Sequence, residues 1–261
     1  MTDQMRGILW PSKWAWNWRW VVGQFEATET MAYRVIMAND EEKQVAARAS
    51  LRFVRDGLVV GLGTGSTAAY AVRFLGERVQ AGLKIRGIPT SVHTRELAAS
   101  LGIPLTTLDE CPQIDVTIDG ADEIDPELRL IKGGGGALLR EKIVALASKQ
   151  LVIIADSRKQ VPVLGKFPLP VDVIPFAQTL VAKQVSALGA AVSLRTDRSG
   201  APFVTDEGHH ILDCRFGQIK DAPALARALV HMPGVAEHGL FLDMADVVLV
   251  GKGSEVVELR R

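Results

Sequence analysis

The sequence predicts an α/β protein, a Rossmann-like and mostly parallel sheet with helices on both faces, joined to a smaller α+β, ferredoxin-like lid domain. Three observations lead there. Short, continuous apolar runs such as Leu58–Leu62, Ile114–Ile118 and Leu151–Ala155 alternate with helical patterns from residue 39 onward, the signature of strands buried on both faces. A glycine-rich turn, Val60-Gly-Leu-Gly-Thr-Gly-Ser-Thr67, joins the first run to the next helix. Beyond Pro168-Leu-Pro170 and Pro175 the texture changes to strands broken by polar turns.

In chain order, Asp40–Val54 reads as a helix with Asn39 or Asp40 as its N-cap and Gly57 beyond its end. Leu58–Leu62 is a strand and Ser66–Leu75 a helix, then Leu83–Ile88 a strand and Thr94–Leu101 a helix closed by Gly102. Strands Ile114–Ile118 and Leu151–Ala155 flank the helix Ala137–Lys149. The second region offers a helix (Gln178–Leu188), strands at Ala191–Arg195, Phe203–Thr205 and Ile211–Arg215, and a helix at Ala222–Val230, a βαββα-like run. Ala245–Val250 reads as a strand returning to the first sheet. The expected domains are therefore 39–168 with 242–261, and 169–241. Residues 1–38 are expected to be an N-terminal extension foreign to the fold or without fixed structure. All five tryptophans lie there, and the reading adopted is that Met37 opens the natural chain.

Composition narrows the function classes. Thirty basic and thirty acidic residues cancel, so neither nucleic acid nor an anionic membrane is an expected partner. Cys111 and Cys214 have neither metal-ligand spacing nor a disulfide framework, which favours a reducing, cytoplasmic setting. No apolar run is long enough to span a bilayer.

Any bound anion must then be held by a local site, and two glycine loops offer one. Gly63, Gly65 and Ala68 fit a dinucleotide fingerprint, but the second strand ends Gly87-Ile-Pro-Thr90 where a ribose-binding carboxylate is expected. Thr64, Ser66 and Thr67 instead supply hydroxyls suited to a terminal phosphate, and no GxxxxGK[ST] sequence is present. A ligand-free turn with capping hydroxyls is the competing reading of this loop. The second loop, Lys132 followed by Gly133–Gly136, combines a cation with a backbone nest at a helix start. Between the loops, Asp119-Gly-Ala-Asp-Glu-Ile-Asp125 follows a buried strand. Asp119 and Asp122 are expected at the ligand edge of the sheet, whereas Glu123 and Asp125 read as solvated turn residues. Glu141 lies in a helix rich in leucine, isoleucine and valine, surroundings that raise a carboxyl's proton affinity towards that of a base. Pattern alone allows it equally to be a surface glutamate paired with Arg140 or Lys142. Lys159 follows the strand end Ile154-Ala-Asp156 and so approaches the same edge, while pattern assigns Lys43 to solvent. His209, His210 and Cys214 read as a hairpin surface rather than a metal site.

Taken together, GLGTGSTA (Gly61–Ala68), IDGADEID (Ile118–Asp125), LIKGGGGALLREKI (Leu130–Ile143), IADSRKQ (Ile154–Gln160) and LGKFPLPVDVIP (Leu164–Pro175) resemble the type A ribose 5-phosphate isomerases. Leu139 and Gly136 depart from threonine and alanine found in some relatives, without removing a functional group. The resemblance implies a cofactor-independent, metal-free aldose–ketose isomerase acting on ribose 5-phosphate and ribulose 5-phosphate through an enediolate, as a homodimer or homotetramer. It implies Glu141 as the base, with Asp119, Asp122 and Lys132 also catalytic. Substrate contacts would come from Lys43, Thr64, Gly65, Ser66, Thr67, Asp119, Gly120, Ala121, Asp122, Lys132, Gly133, Gly134, Gly135 and Lys159, which overrides the solvent reading of Lys43. Asp119 is the candidate for exchanging the hydroxyl proton. A sugar-phosphate-sensing module and an acyl-CoA transferase with a glutamate nucleophile are the competing classes. The scheme requires the Glu141 carboxylate within about 10 Å of the Lys132 ammonium.

Overall fold

A computed structural model describes residues 39–261, so the expectations for the tryptophan-rich segment fall outside the described residues. Helix α1 covers 39–50 and is followed by a short 3-10 turn, Leu51–Phe53. Then come β1 (Val59–Leu62), α2 (Ser66–Gln80), β2 (Arg86–Pro89), α3 (Val92–Ser100) and β3 (Val116–Gly120). Two-residue strands β4 (Glu123–Ile124) and β5 (Leu130–Ile131) precede α4 (Leu138–Leu146) and β6 (Leu151–Asp156). The next run is β7 (Leu169–Val173), α5 (Gln178–Ala187), β8 (Ala191–Leu194), β9 (His210–Arg215), α6 (Ala222–Val230) and β10 (Val235–His238). The chain closes with β11 (Leu240–Phe241), β12 (Val247–Lys252) and β13 (Glu255–Arg260).

The main sheet runs β13-β12-β6-β3-β1-β2, parallel except for the antiparallel edge β13. Its parallel strands taken in chain order give the doubly wound arrangement 2-1-3-4-5, whose strand order reverses between β1 and β3. The period of two is visible in β6. Val152 and Ile154 pack with α1, α2 and α3 through Ala46, Ala71, Val72, Leu75 and Ala98, while Leu151, Ile153 and Ala155 pack on the other face with Phe241 and Val248. In α2, buried Ala68, Ala71, Val72 and Leu75 fall at the spacing of one helix face. Covering both faces explains why the strand sequences are nearly all apolar.

The second sheet, β10-β7-β9-β8, is antiparallel, and with α5 and α6 it forms a βαββαβ unit over its own core of Leu169, Val171, Val173, Val181, Val185, Leu212 and Leu229. The expected strand Phe203–Thr205 is absent as such. Val204 makes only an isolated bridge to His210, because a polar turn holds this segment on Asp197 and Thr205. β4, β5 and β11 form a third, antiparallel sheet that the pattern reading does not contain, since two-residue strands carry no periodicity. β13 is likewise new; it forms a hairpin with β12 across Gly253. α4 ends at Leu146, three residues before the expected Lys149.

Candidate active site

The reversal between β1 and β3 places the ends of both strands side by side. β1 leads into Gly63–Thr67 and the start of α2. β3 continues through Asp119 to Gly120, so Asp119 is within the strand rather than beyond it. Gly63 is required by this closeness: a Cβ there would lie 2.5 Å from Asp119 Cγ and 2.6 Å from its Cα. Gly65 takes a φ of 103°, the left-handed region open to glycine, and turns the chain into α2.

Lys132 follows β5, and the small third sheet holds it in place, with its N–H donating to Gly239 O at 2.9 Å. Its ammonium is buried and donates to Asp119 Oδ2 at 2.8 Å and Gly120 O at 2.6 Å. Glu141 Oε2 lies 3.3 Å from the same ammonium, outside hydrogen-bonding geometry, which leaves this buried oxygen without a donor. Glu141 is 4% exposed, so the surface reading of this residue fails and the relay distance is met. Burial drives its proton affinity up; Lys132 opposes and Asp119 and Asp122 assist, leaving its pKa at about 8. For Lys132, burial works against the charge, but the carboxylates of Asp119 and Glu141 outweigh it and hold the proton more firmly than usual. A stable ammonium thus sits beside a carboxyl poised near neutrality.

A small, open cleft lies over this pair. Its walls are Thr64–Thr67, Gly120–Asp122 and Lys132–Gly135, with Glu141 and Lys159. Asp122 Oδ2 accepts the Gly134 N–H at 2.7 Å, tying two walls together. The N–H of Gly135 has no acceptor among the described residues.

Four expectations change with these contacts. Asp119 does not line the cleft: it is fully buried, with Oδ1 accepting from Thr64 and Gly120 N–H and Oδ2 from Lys132. The Thr64 hydroxyl turns inward to Thr90 (2.7 Å), Ser91 (2.8 Å) and Thr94 (3.2 Å), so only the rest of Thr64 faces the cleft. Lys43 is not among the lining residues and pairs with Asp40 at 3.1 Å, although its neighbour Glu42 accepts from Ser157 beside Lys159. Glu123 and Asp125 are buried anchors rather than solvated turn residues. Glu123 accepts from Gly165 and Phe167 N–H, and Asp125 from the N–H groups of Glu127 and Arg129 and from the Arg129 side chain.

Two side chains from the βαββαβ unit reach the glycine run, and no motif marks either. Arg195 donates to Gly133 O and Gly134 O, and the Phe203 ring packs on Gly136, where a Cβ would lie 2.5 Å from ring carbons. Both contacts span more than sixty positions, beyond the reach of any local pattern. His209, His210 and Cys214 do not converge. They contact Asp172, Gln178 and Leu212 O respectively, and no described group of His, Cys, Asp and Glu is arranged to hold a metal. No described helix is long and apolar enough to cross a membrane, and both cysteines are free and buried.

Residues 86–255 match the family model described as ribose 5-phosphate isomerase A (phosphoriboisomerase A). Ribose-5-phosphate isomerase A of Parvibaculum lavamentivorans is 52% identical over 230 residues, covering 85% of this chain and 100% of that protein. The solved ribose 5-phosphate isomerase A of Methanocaldococcus jannaschii superposes with a TM-score of 0.82 at 43% identity, covering 85% of this chain and 100% of that one. A D-ribose-5-phosphate isomerase solved in complex with phospho-erythronic acid gives 0.82 at 42% identity, covering 84% and 97%.

Proposed function

The chain belongs to the ribose 5-phosphate isomerase A family, and from that premise we propose that it interconverts D-ribose 5-phosphate and D-ribulose 5-phosphate with Glu141 as the base. The observation carrying this reading is the buried Glu141 carboxyl 3.3 Å from the Lys132 ammonium, at the floor of a cleft walled by two glycine loops. Moving a proton from C2 to C1 requires a base near neutrality and a fixed positive environment for the enediolate oxygens. Glu141 removes the C2 proton and returns it to C1, while the C2 hydroxyl gives up its proton and the C1 oxygen takes one up. Lys132 and the free Gly135 N–H stabilise the oxygens while they carry charge.

Ser66, Thr67 and the N–H groups opening α2 hold the phosphate, remote from the reacting carbons, and Lys159 adds positive charge to the cleft. Asp122, whose Oδ1 is free of protein donors among the described residues, exchanges the hydroxyl protons of ring opening. Asp119 acts through Lys132, which it orients; this replaces direct proton exchange by Asp119, because both of its oxygens are committed to protein donors. Lys43 contributes, if the substrate draws it from Asp40, as a second phosphate cation. No metal or cofactor enters the scheme.

The accompanying domain division is 39–168 with 242–261 for the catalytic unit and 169–241 for the smaller one; each sheet has a core, with Ile131, Val161 and Leu164 of the larger unit packing into that of the smaller. A cytoplasmic homodimer or homotetramer completes the proposal, and sedimentation of the purified protein measures the latter. Incubation with ribose 5-phosphate, followed by a ketose assay, tests the activity. Binding without ketose formation would leave a sensor, not an isomerase.

A further inference from the structure

We propose that Arg195, on the βαββαβ unit, is a positioning residue that aims the Gly135 N–H at the reacting oxygens. The inference rests on the isomerase reading above and deepens it. A run of four glycines has no side chains with which to fix its own peptide planes, and glycine is the residue with most backbone freedom to lose. The Gly136 N–H closes a turn on Gly133 O at 3.0 Å, but Gly134 O has no backbone donor among the described residues. Arg195 Nη1 donates to Gly133 O at 2.9 Å and to Gly134 O at 3.2 Å. The guanidinium is itself fixed by a two-point pair with Asp213, Nε to Oδ2 at 3.0 Å and Nη2 to Oδ1 at 2.5 Å.

In a trans peptide the C=O and N–H point in opposite directions. Holding Gly134 O on the guanidinium therefore directs the Gly135 N–H away from Arg195. Gly135 lines the cleft, and this N–H has no other acceptor among the described residues. The preceding peptide is pinned at both ends, with Gly133 O on Arg195 and Gly134 N–H on Asp122 Oδ2 at 2.7 Å. A cation on the carbonyl side also polarises each peptide and strengthens its N–H as a donor. Arg195 touches neither the cleft nor any reacting atom, and acts only through these two peptides.

Arg195→Met, which keeps the apolar stem, is the first test, with Asp213→Asn as a milder variant that leaves the guanidinium but loosens its anchor. The expected result is a kcat lowered about 10- to 100-fold in Arg195→Met, as small misplacements of catalytic groups produce, with KM for ribose 5-phosphate changed less than about threefold. Arg195→Lys should recover part of the loss, and Asp213→Asn should fall between wild type and Arg195→Met. Phospho-erythronic acid, which carries a planar carboxylate with two charged oxygens, should bind more weakly by a factor close to the loss in kcat, while inorganic phosphate inhibits as before. Unchanged kcat in Arg195→Met, or an equal weakening of phosphate and phospho-erythronic acid, would overturn the inference. If Arg195→Met fails to fold, Asp213→Asn decides by the same two measurements. Failure of the wild-type protein to form ketose would instead remove the isomerase reading itself.

Discussion

Glu141→Gln separates the chemistry of the site from its cost to the fold. The substitution preserves shape and removes a carboxyl whose buried position moves its pKa from the ordinary 4.5 to about 8. At one decade per 1.36 kcal/mol, a displacement of that size corresponds to about 5 kcal/mol as an upper bound, and a few kcal/mol after allowance for relaxation around a coupled group. The sign follows from proton counting. Below about pH 4.5 the carboxyl is protonated in both folded and unfolded chains, and its ionisation contributes nothing. Between about 4.5 and 8 the unfolded chain ionises while the folded one holds its proton, so folding stability falls as pH rises. Above about 8 the full cost of the buried charge is present. Glu141→Gln should therefore unfold at a higher temperature than wild type at pH 8.5, by roughly 2–4 °C per kcal/mol, with the gap closing towards pH 4.5. In the same variant, ketose formation should drop by at least about 100-fold with substrate binding retained. Calorimetry at several pH values and a turnover assay on one preparation give both numbers. A stability gap independent of pH, or near-normal turnover, would refute the assignment of Glu141 as a charge held at a cost to the fold for the sake of catalysis.

In the wild type, log kcat/KM should rise with unit slope towards about pH 8 and level off beyond it, as the free-enzyme base ionises; a flat profile from pH 6 to 9 counts against Glu141. Lys132→Met removes the cation from Asp119 and Glu141, and should destabilise the protein above neutral pH by about 3–5 kcal/mol, measured by denaturant unfolding. Thr64→Val removes the shared hydroxyl from Thr90, Ser91 and Thr94, which keep their bonds to Leu62 O, to each other and to Gly63 O, and should cost about 0.5–1.5 kcal/mol of stability. Its KM should move little, whereas a direct phosphate ligand would raise KM strongly. Full activity after exhaustive chelation is expected, since Lys132 and a backbone N–H supply the charge stabilisation here; loss restored by added metal would contradict it.

The local record of the sequence was sufficient wherever chemistry depends on adjacent residues. The glycine loop after β1, the lysine ahead of four glycines and Glu141 within one turn of α4 are each legible because turn geometry, a backbone nest and helix spacing are short-range properties. Twelve of the residues singled out for substrate contact line one cleft together with Glu141. Tertiary structure alone decided which atoms of those residues face inward or outward. Thr64 carries a hydroxyl suited to phosphate, yet three hydroxyls from the β2–α3 connection and α3 claim it. Asp119 has the right neighbours in sequence, but Lys132 and two N–H groups saturate it. Glu123 and Asp125 read as solvated because acidic residues usually are; Glu123 is buried where Gly165 and Phe167 N–H groups from a distant segment need an acceptor, and Asp125 where the N–H groups of its own turn do. Arg195 lies outside every motif, and its part in the glycine run is set by a fold that brings positions 133 and 195 together. Residue type and spacing determine what a segment is able to do, but the partners that satisfy or free each polar atom are chosen only when distant segments meet.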